Sequence, residues 1–311
     1  MSRAEPPRVV AVVVAYNRLA LLRECLEGLA AQSRPVDAIV VVDNASTDGS
    51  PDMVAERFPD VDLVRLRANT GGAGGFAVGL ERALERHAAD LVWIMDDDTV
   101  PTPDALRELL RIREEEPGLV LQASRAVWTD GAEHPMNTPK KRIGASRASV
   151  ERAARHGALP VRSASFVSVL VDADAVRRTG YPVADYFIWN DDFEFTSRLL
   201  RSAEGWYCPT SVVVHKTRVF GSSDADPGER FYFEVRNKVW LFRHSRAFAL
   251  GERLLYMAAT ARRWVRTRRR TSDRAVLMAA GRRGWRDAWA AGPRPNEVVL
   301  APALDTGAEG S

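Results

Sequence analysis

The chain is poor in cysteine. Cys25 and Cys208 stand far apart among 311 residues, which excludes a disulfide scaffold and a thiolate zinc site and points to a reducing compartment. Long apolar runs are also missing. The longest, Val9 to Tyr16, falls far short of the roughly 20 residues that cross a bilayer. The N-terminus lacks the basic, apolar, small-residue order of a signal peptide. No internal repeat and no nucleic-acid-binding motif are present. These absences predict a cytoplasmic protein, at most peripheral on the inner face of the cell membrane, with no nucleic-acid partner.

What is present is ordinary in amount and uneven in placement. Hydrophobic residues make up 46% and charged residues 27%, as in a globular protein. The length suits one large α/β domain with an appendage. The net charge of +3 conceals an asymmetry: residues 236 to 286 hold 15 Lys/Arg against Glu252 and Asp273. An acidic body with a basic region suggests an anionic partner surface.

Val9 to Ala15 is continuous, β-branched and short, the pattern of a strand buried on both faces. Leu19, Leu22, Leu26 and Leu29 follow at helical spacing. Ile39 to Val42 and Leu91 to Met95 repeat the buried-strand pattern, and Val61 to Leu66 alternates. Helices are predicted from Phe76 to Arg86, from Pro101 to Arg113 and from Asp191 to Arg201, with a short one between Asp172 and Gly180. Residues 128 to 160 read as a mobile loop, Ser165 to Val171 and Ser211 to Val214 as strands, and the last twenty or so residues as a disordered tail. Successive βα units predict a mostly parallel, Rossmann-like sheet with helices on both faces. Ligands of such sheets bind beyond the strands' carboxyl ends. Tyr16-Asn17-Arg18, Asp43-Asn44, Asn69 to Gly75 and Asp96 to Asp98 all fall there.

Three groups of residues carry candidate chemistry. Asp96-Asp97-Asp98 ends a buried strand, and Asp-x-Asp on extended backbone puts two carboxylates on one side. Such hard oxygen ligands suit Mg²⁺ or Mn²⁺ shared with phosphates. His215 ends another apolar strand, and an imidazole beside carboxylates favours Mn²⁺. In Trp189-Asn190-Asp191-Asp192-Phe193-Glu194, crowded carboxylates repel, so one is expected to accept a proton near neutral pH. Trp189 offers a flat face to a sugar. Each group also has a plain structural reading, as an acidic turn, a satisfied histidine and a helix cap. Gly72-Ala73-Gly74-Gly75-Phe76-Ala77 fits the G-x-G-x-x-A dinucleotide fingerprint with Asp96 about twenty residues on, so an NAD(P)-dependent oxidoreductase competes. Against it, the run follows the third strand and leaves the acidic groups unexplained. A non-catalytic nucleotide-sugar or membrane-surface binding protein is the third possibility.

Taken in order, these motifs resemble family 2 glycosyltransferases of the GT-A fold over roughly residues 8 to 240. Gly-Gly-Ala-Gly-Gly-Phe, Asp-Asp-Asp and Asp-Pro-Gly-Glu-Arg-Phe-Tyr-Phe are most similar to actinobacterial galactofuranosyltransferases, with rhamnosyltransferases next. Asn190, between Trp189 and the acid pair, departs from that pattern. The resemblance implies an inverting transfer of a sugar, from UDP-galactofuranose or dTDP-rhamnose, to a glycan or lipid-linked acceptor. It implies donor contacts at Ala15, Tyr16, Arg18, Asp43, Asn69, Gly71, Gly72, Gly75, Asp96 and Asp97. It implies a divalent metal (Mn²⁺ or Mg²⁺) on Asp96, Asp98 and His215. Asp192 would be the base, with Asp191 and Glu194 beside it, and Trp189, Asp191 and Asp192 would meet the acceptor. The expected layout is a GT-A domain over 1–235 (donor half 8–127, acceptor half 160–235), a basic helical region over 236–292 that touches an anionic membrane surface, and a tail over 293–311. The exposed face of that region would run along Leu254, Leu255, Ala258, Ala261 and Val265, among arginines.

Overall fold

The computed structural model describes residues 6–134, 137–217 and 226–304. The donor half alternates strands and helices. These are β1 (Val9–Ala15), α1 (Leu19–Ala30), β2 (Ala38–Asp43), α2 (Ser50–Arg57), β3 (Asp62–Arg65), α3 (Gly71–Glu85) and β4 (Leu91–Asp96). Then follow β5 (Thr99–Pro101), α4 (Ala105–Glu115), β6 (Leu119–Val127), β7 (Lys140–Lys141), α5 (Arg147–Arg155), β8 (Leu159–Ser163), β9 (Val169–Asp172), α6 (Ala173–Thr179), α7 (Asp191–Leu199) and β10 (Glu204–His215). The C-terminal region is helical: α8 (Phe231–His244), α9 (Leu250–Arg270), α10 (Arg274–Ala290) and α11 (Asn296–Leu300).

The strands lie in the order β3-β2-β1-β4-β9-β6-β10-β8-β7, with β5 beside β10. The run β3-β2-β1-β4 is parallel. Antiparallel β9 joins it to β6, which pairs in parallel with β10. The seven residues of β1 serve two cores at once. Val10, Val12 and Val14 pack beneath α3, while Val9, Ala11 and Val13 pack against α1 and α4. Burial on both faces explains the unbroken apolar run, because each side chain stabilises by about 1.5–3 kcal/mol whichever way it points.

The glycine run is not a loop. It forms the first turns of α3 and lets that helix lie close to the sheet. A Cβ on Gly79 would sit 2.4 Å from Val12 Cγ1, and one on Gly75 would sit 2.6 Å from Val14 Cγ1. Residues 128 to 160 likewise contain β7 and α5. Few apolar residues mark α5, but Ser146 caps it by accepting from the Ser149 amide at 3.1 Å. Pro101 belongs to β5, not to the start of α4. The strand read at Ser165 to Val171 begins only at Val169, and β8 precedes it.

Two expected boundaries also move. Residue 235 falls inside α8, which packs along α10 so closely that a Cβ on Gly284 would meet Tyr232 O at 2.4 Å. The basic region is therefore continuous with the body. The tail expected from 293 is ordered through Leu304: Leu300 and Ala303 are buried, and Ala303 O accepts from Arg67 N at 2.8 Å. Residues 305–311 lie outside the described residues. No helix among the described residues is long and apolar enough to cross a membrane.

Gly79→Ala should force Val12 or α3 to shift, an overpacking cost of about 1–3 kcal/mol. A lower urea midpoint with unchanged slope would show it, and an unchanged midpoint would contradict the close approach.

Candidate active site

Four strands present their carboxyl ends at one edge. Ala15 pairs with Asp43 and Val14 with Asp96, so residues far apart in sequence share one ledge. Tyr16 is 46% exposed there, its ring free at the rim. Asp43 is buried. Its Oδ2 accepts from Ser46 N at 3.0 Å, and no hydrogen bond reaches Oδ1 among the described residues. Asn44 anchors the start of α3, donating to Gly71 O at 2.9 Å and accepting from Thr70 N at 3.0 Å. Asn69 Oδ1 accepts from Gly71 N at 2.8 Å. Gly71 and Gly75 are buried as packing glycines, and Gly72 keeps some exposure. Gly75 packs closely against Val14 and Asn44.

The aspartate triplet is crowded and half neutralised. Arg18 Nη1 pairs with Asp98 Oδ2 and lies 3.3 Å from Asp97 Oδ1. Asp97 Oδ2 accepts from the Tyr16 amide at 3.0 Å. Burial pushes the Asp97 carboxyl up to about 7, with Arg18 opposing. Burial, then the carboxylates of Asp98 and Asp97, push Asp96 well above the carboxylate range. Burial acts the same way on Asp98, but His215 and Arg18 outweigh it and hold its pKa below that range. One guanidinium against three carboxylates leaves net negative charge in a buried place.

β5 brings in the fourth group. It pairs antiparallel with the end of β10, setting His215 opposite Thr99, and Asp98 O accepts from Lys216 N at 2.8 Å. His215 Nε2 therefore lies 3.1 Å from Asp98 Oδ1. On the far side of the ring, Nδ1 meets Asn137 Oδ1 at 2.8 Å, and Asn137 donates its amide to Ser165 Oγ at 3.1 Å. Nδ1 thus faces the Asn137 oxygen, and Nε2 faces the carboxylate. Asp98 Oδ1 is buried without a hydrogen-bond donor. Ligand atoms of Asp96, Asp98 and His215 lie within 4.8 Å of one another, and two carboxylates with an imidazole fit Mn²⁺ or Mg²⁺, the imidazole favouring Mn²⁺. Asn137, which orients the histidine, carried no signal in the sequence. It lies in a segment read as a loop, 78 residues from its partner.

The second acidic group opens α7. Asn190 caps the helix in the left-handed region, and Asp191, Asp192 and Glu194 fill its first turn. Burial, then Asp192, pushes Asp191 up to about 8. Burial raises Asp192 too, against the opposing charges of Lys238 and Lys140. Lys238 is itself buried, its ammonium 4.0 Å over the Phe193 ring, and burial brings it down to about 8. Trp189 is 38% exposed beside this turn. An added Cβ on Gly72 would lie 3.8 Å from Asp191 Oδ2, and the charge of Asp191 acts on Asp96. The two acidic groups therefore adjoin. Glu194 does not join them. Its carboxylate takes Arg198 at 2.8 and 3.1 Å and Ser245 Oγ at 2.7 Å. That buried (i, i+4) ion pair is structural, and it corrects the expectation that Glu194 assists proton transfer.

A mixed sheet with a carboxylate-rich ledge at its parallel strand ends is the GT-A form of a glycosyltransferase. The family model for glycosyl transferase family 2 matches residues 10–175, and the chain belongs to that family. Galactofuranosyltransferase GlfT1 of Mycobacterium tuberculosis (strain H37Rv) is 32% identical over 247 residues, covering 74% of this chain and 80% of the relative. GlfT1 of Mycolicibacterium smegmatis is 28% identical over 213 residues, covering 67% and 70%. Among solved structures, S. aureus TarS 1-349 in complex with UDP-GlcNAc shares the fold, with a TM-score of 0.63 at 16% identity over 94% of this chain and 84% of that one. The chain is a glycosyltransferase. The oxidoreductase and non-catalytic readings are overturned, and the G-x-G-x-x-A run is packing for α3.

Asn137→Ala should free the His215 ring and weaken Mn²⁺ binding roughly 10–100-fold. Titration of Mn²⁺ in the presence of UDP measures it. Unchanged affinity would show that Asn137 does not orient His215 for a cation.

Proposed function

We propose that the protein transfers galactofuranose from UDP-galactofuranose to a hydroxyl of a glycan or lipid-linked acceptor, with inversion. The observation that carries the sugar is the 32% identity to GlfT1 of M. tuberculosis over 80% of that relative's length. Rhamnose from dTDP-rhamnose is the next donor to test. In this reading residues 8–127 bind the donor and residues 160–235 the acceptor. The unpaired, buried Asp43 Oδ1 suits an N–H of the base. The exposed Tyr16 ring suits stacking on it, while Ala15, Arg18, Asn69, Gly71 and Gly72 flank the nucleotide. Asp97 orders the Tyr16 backbone and Arg18.

Asp96, Asp98 and His215 would hold Mn²⁺ or Mg²⁺. When bound, such an ion supplies Lewis-acid stabilisation of negative charge on the leaving diphosphate. The rest falls to the chain. Trp189 presents its ring to the acceptor sugar, and Asp191 sits between the acceptor and the triplet. Asp192 takes the proton of the attacking hydroxyl, whose oxygen bonds to the anomeric carbon as the bond to the diphosphate oxygen breaks. A single displacement inverts that carbon. Burial supports this role, because it raises the Asp192 pKa and so makes the carboxylate a stronger proton acceptor.

The basic region is proposed to lie on anionic lipid. Leu254 is 57% and Val265 52% exposed on α9, with Arg262, Arg266 and Arg268 to Arg270 exposed beside them. Trp285 and Trp289, a 5.9 Å aromatic pair on α10, are 50% and 55% exposed. Exposed apolar residues among arginines and tryptophans suit the headgroup boundary.

Asp192→Asn should abolish transfer while UDP with Mn²⁺ still binds. UDP release from UDP-galactofuranose and UDP affinity measure the two, and full turnover would remove Asp192 as the base. A panel of sugar nucleotides in the same assay decides the donor. Leu254→Glu with Val265→Glu should reduce co-sedimentation with phosphatidylglycerol vesicles at least about tenfold. Undiminished binding would take α9 out of membrane contact.

A further inference from the structure

The segment that delivers Trp189 and the acid pair has an unusual backbone. Phe187 is at φ 63°, ψ −69°, with Ile188 N donating to Tyr186 O at 2.8 Å. That is a γ-turn of the rarer, strained hand. Trp189 and Asn190 follow at φ 64° and 66°. Three left-handed residues without a glycine persist only where surrounding contacts over-determine them.

Those contacts come from α8. Asn237 is fully buried, and its amide faces three carbonyls of the segment: Tyr186 and Ile188 at 2.9 Å and Trp189 at 2.8 Å. Arg236 donates to Asp185 O at 2.6 Å and Tyr186 O at 3.1 Å. The Phe187 ring stacks on Phe233 at 5.4 Å. Glu234 Oε2 accepts from Asn190 Nδ2 at 2.9 Å, and its other oxygen accepts from Trp264 Nε1 of α9 at 3.2 Å. Asn190, the departure from the family pattern, thus has a partner of its own. On the opposite side, Phe187 O accepts from Ala73 N at 3.1 Å. A Cβ on Gly71 would lie 2.0 Å from that oxygen, so only glycine admits the segment there.

We propose that Glu234 and Asn237 are positioning residues, with Trp264 fixing Glu234, which hold residues 186–190 in this course so that Trp189 and Asp192 are aimed at the acceptor. The proposal rests on the reading of Trp189 and Asp192 as acceptor-side groups. Asn237 saturates carbonyls that no strand or helix pairs. Glu234 ties the helix cap to α9. Loss of either lets the γ-turn relax, which moves Trp189 and the start of α7 while leaving the Asp96, Asp98 and His215 cluster in place.

Three variants of the full-length chain test this: Asn237→Ser, Glu234→Gln and Trp264→Phe, the last keeping the ring's packing while deleting one donor. Amide hydrogen exchange across residues 184–194 should quicken at least about tenfold in Asn237→Ser and Glu234→Gln, and less in Trp264→Phe. UDP affinity with Mn²⁺ should stay unchanged, while transfer from UDP-galactofuranose to a membrane-extracted acceptor should fall in the variants whose exchange quickens. Unaltered exchange in 184–194 overturns the proposal. So does acceleration spread evenly over the sheet with weakened UDP binding, which marks a merely structural role. Asp192→Asn run in parallel separates the two levels. If it transfers at full rate the base assignment fails, while the exchange result still decides whether α8 holds the segment.

Discussion

Negative charge has to be gathered in a buried place, and the strand ends are built around that constraint. Asp96, Asp97 and Asp98 follow one another at the end of β4, where little distance separates them. Arg18 answers part of the charge, and the Tyr16 amide answers a little more. The remainder shows in Asp96, held well above the usual carboxylate range, while Asp98 Oδ1 is buried beside the His215 ring. A free-standing acidic turn would simply point its carboxylates at water. Here β5 and β10 close over the turn, and the charge stays unbalanced.

The two halves of the molecule meet over the first turn of α3. Glycine there permits three approaches: the sheet beneath at Gly75 and Gly79, the Phe187 carbonyl at Gly71, and Asp191 at Gly72. Helix α3 thereby spaces the strand-end ledge from the acid pair of α7. Its N-terminal amide at Ala73 is spent on Phe187 O rather than left open. Helix α8 holds the same segment from its other side, so Trp189 and Asp191 stand between two rigid elements. The C-terminal helices belong to the site's framework as much as the sheet does.

Much of the fold was legible because its signals are local. A strand buried on both faces must be apolar at every position, so β1, β2 and β4 announce themselves. The polar residues at their ends mark the ledge, and the motif order marks the family. Elements that depend on distant partners were misread. α5 is amphipathic with few large apolar residues. β8 and β9 take their places only from β6, β4 and β10. The turn after Leu300 is ordered because Ala303 docks on Arg67.

The sequence by itself determined the parallel sheet, the ledge at its carboxyl edge, the crowded acidic groups and membership of the glycosyltransferase family. Each of these follows from residue type and local spacing, taken together with the order of the motifs along the chain. Tertiary structure alone decided which groups meet. Strand pairing between β5 and β10 carries His215 to Asp98, and Asn137 aims the ring. An (i, i+4) arginine withdraws Glu194 from the acid group, and Asn237 and Glu234 fix a backbone that no local preference favours. Apart from that (i, i+4) pair, these contacts join residues some 30 to more than 100 positions apart, and their geometry is set by packing, which no single stretch of chain encodes.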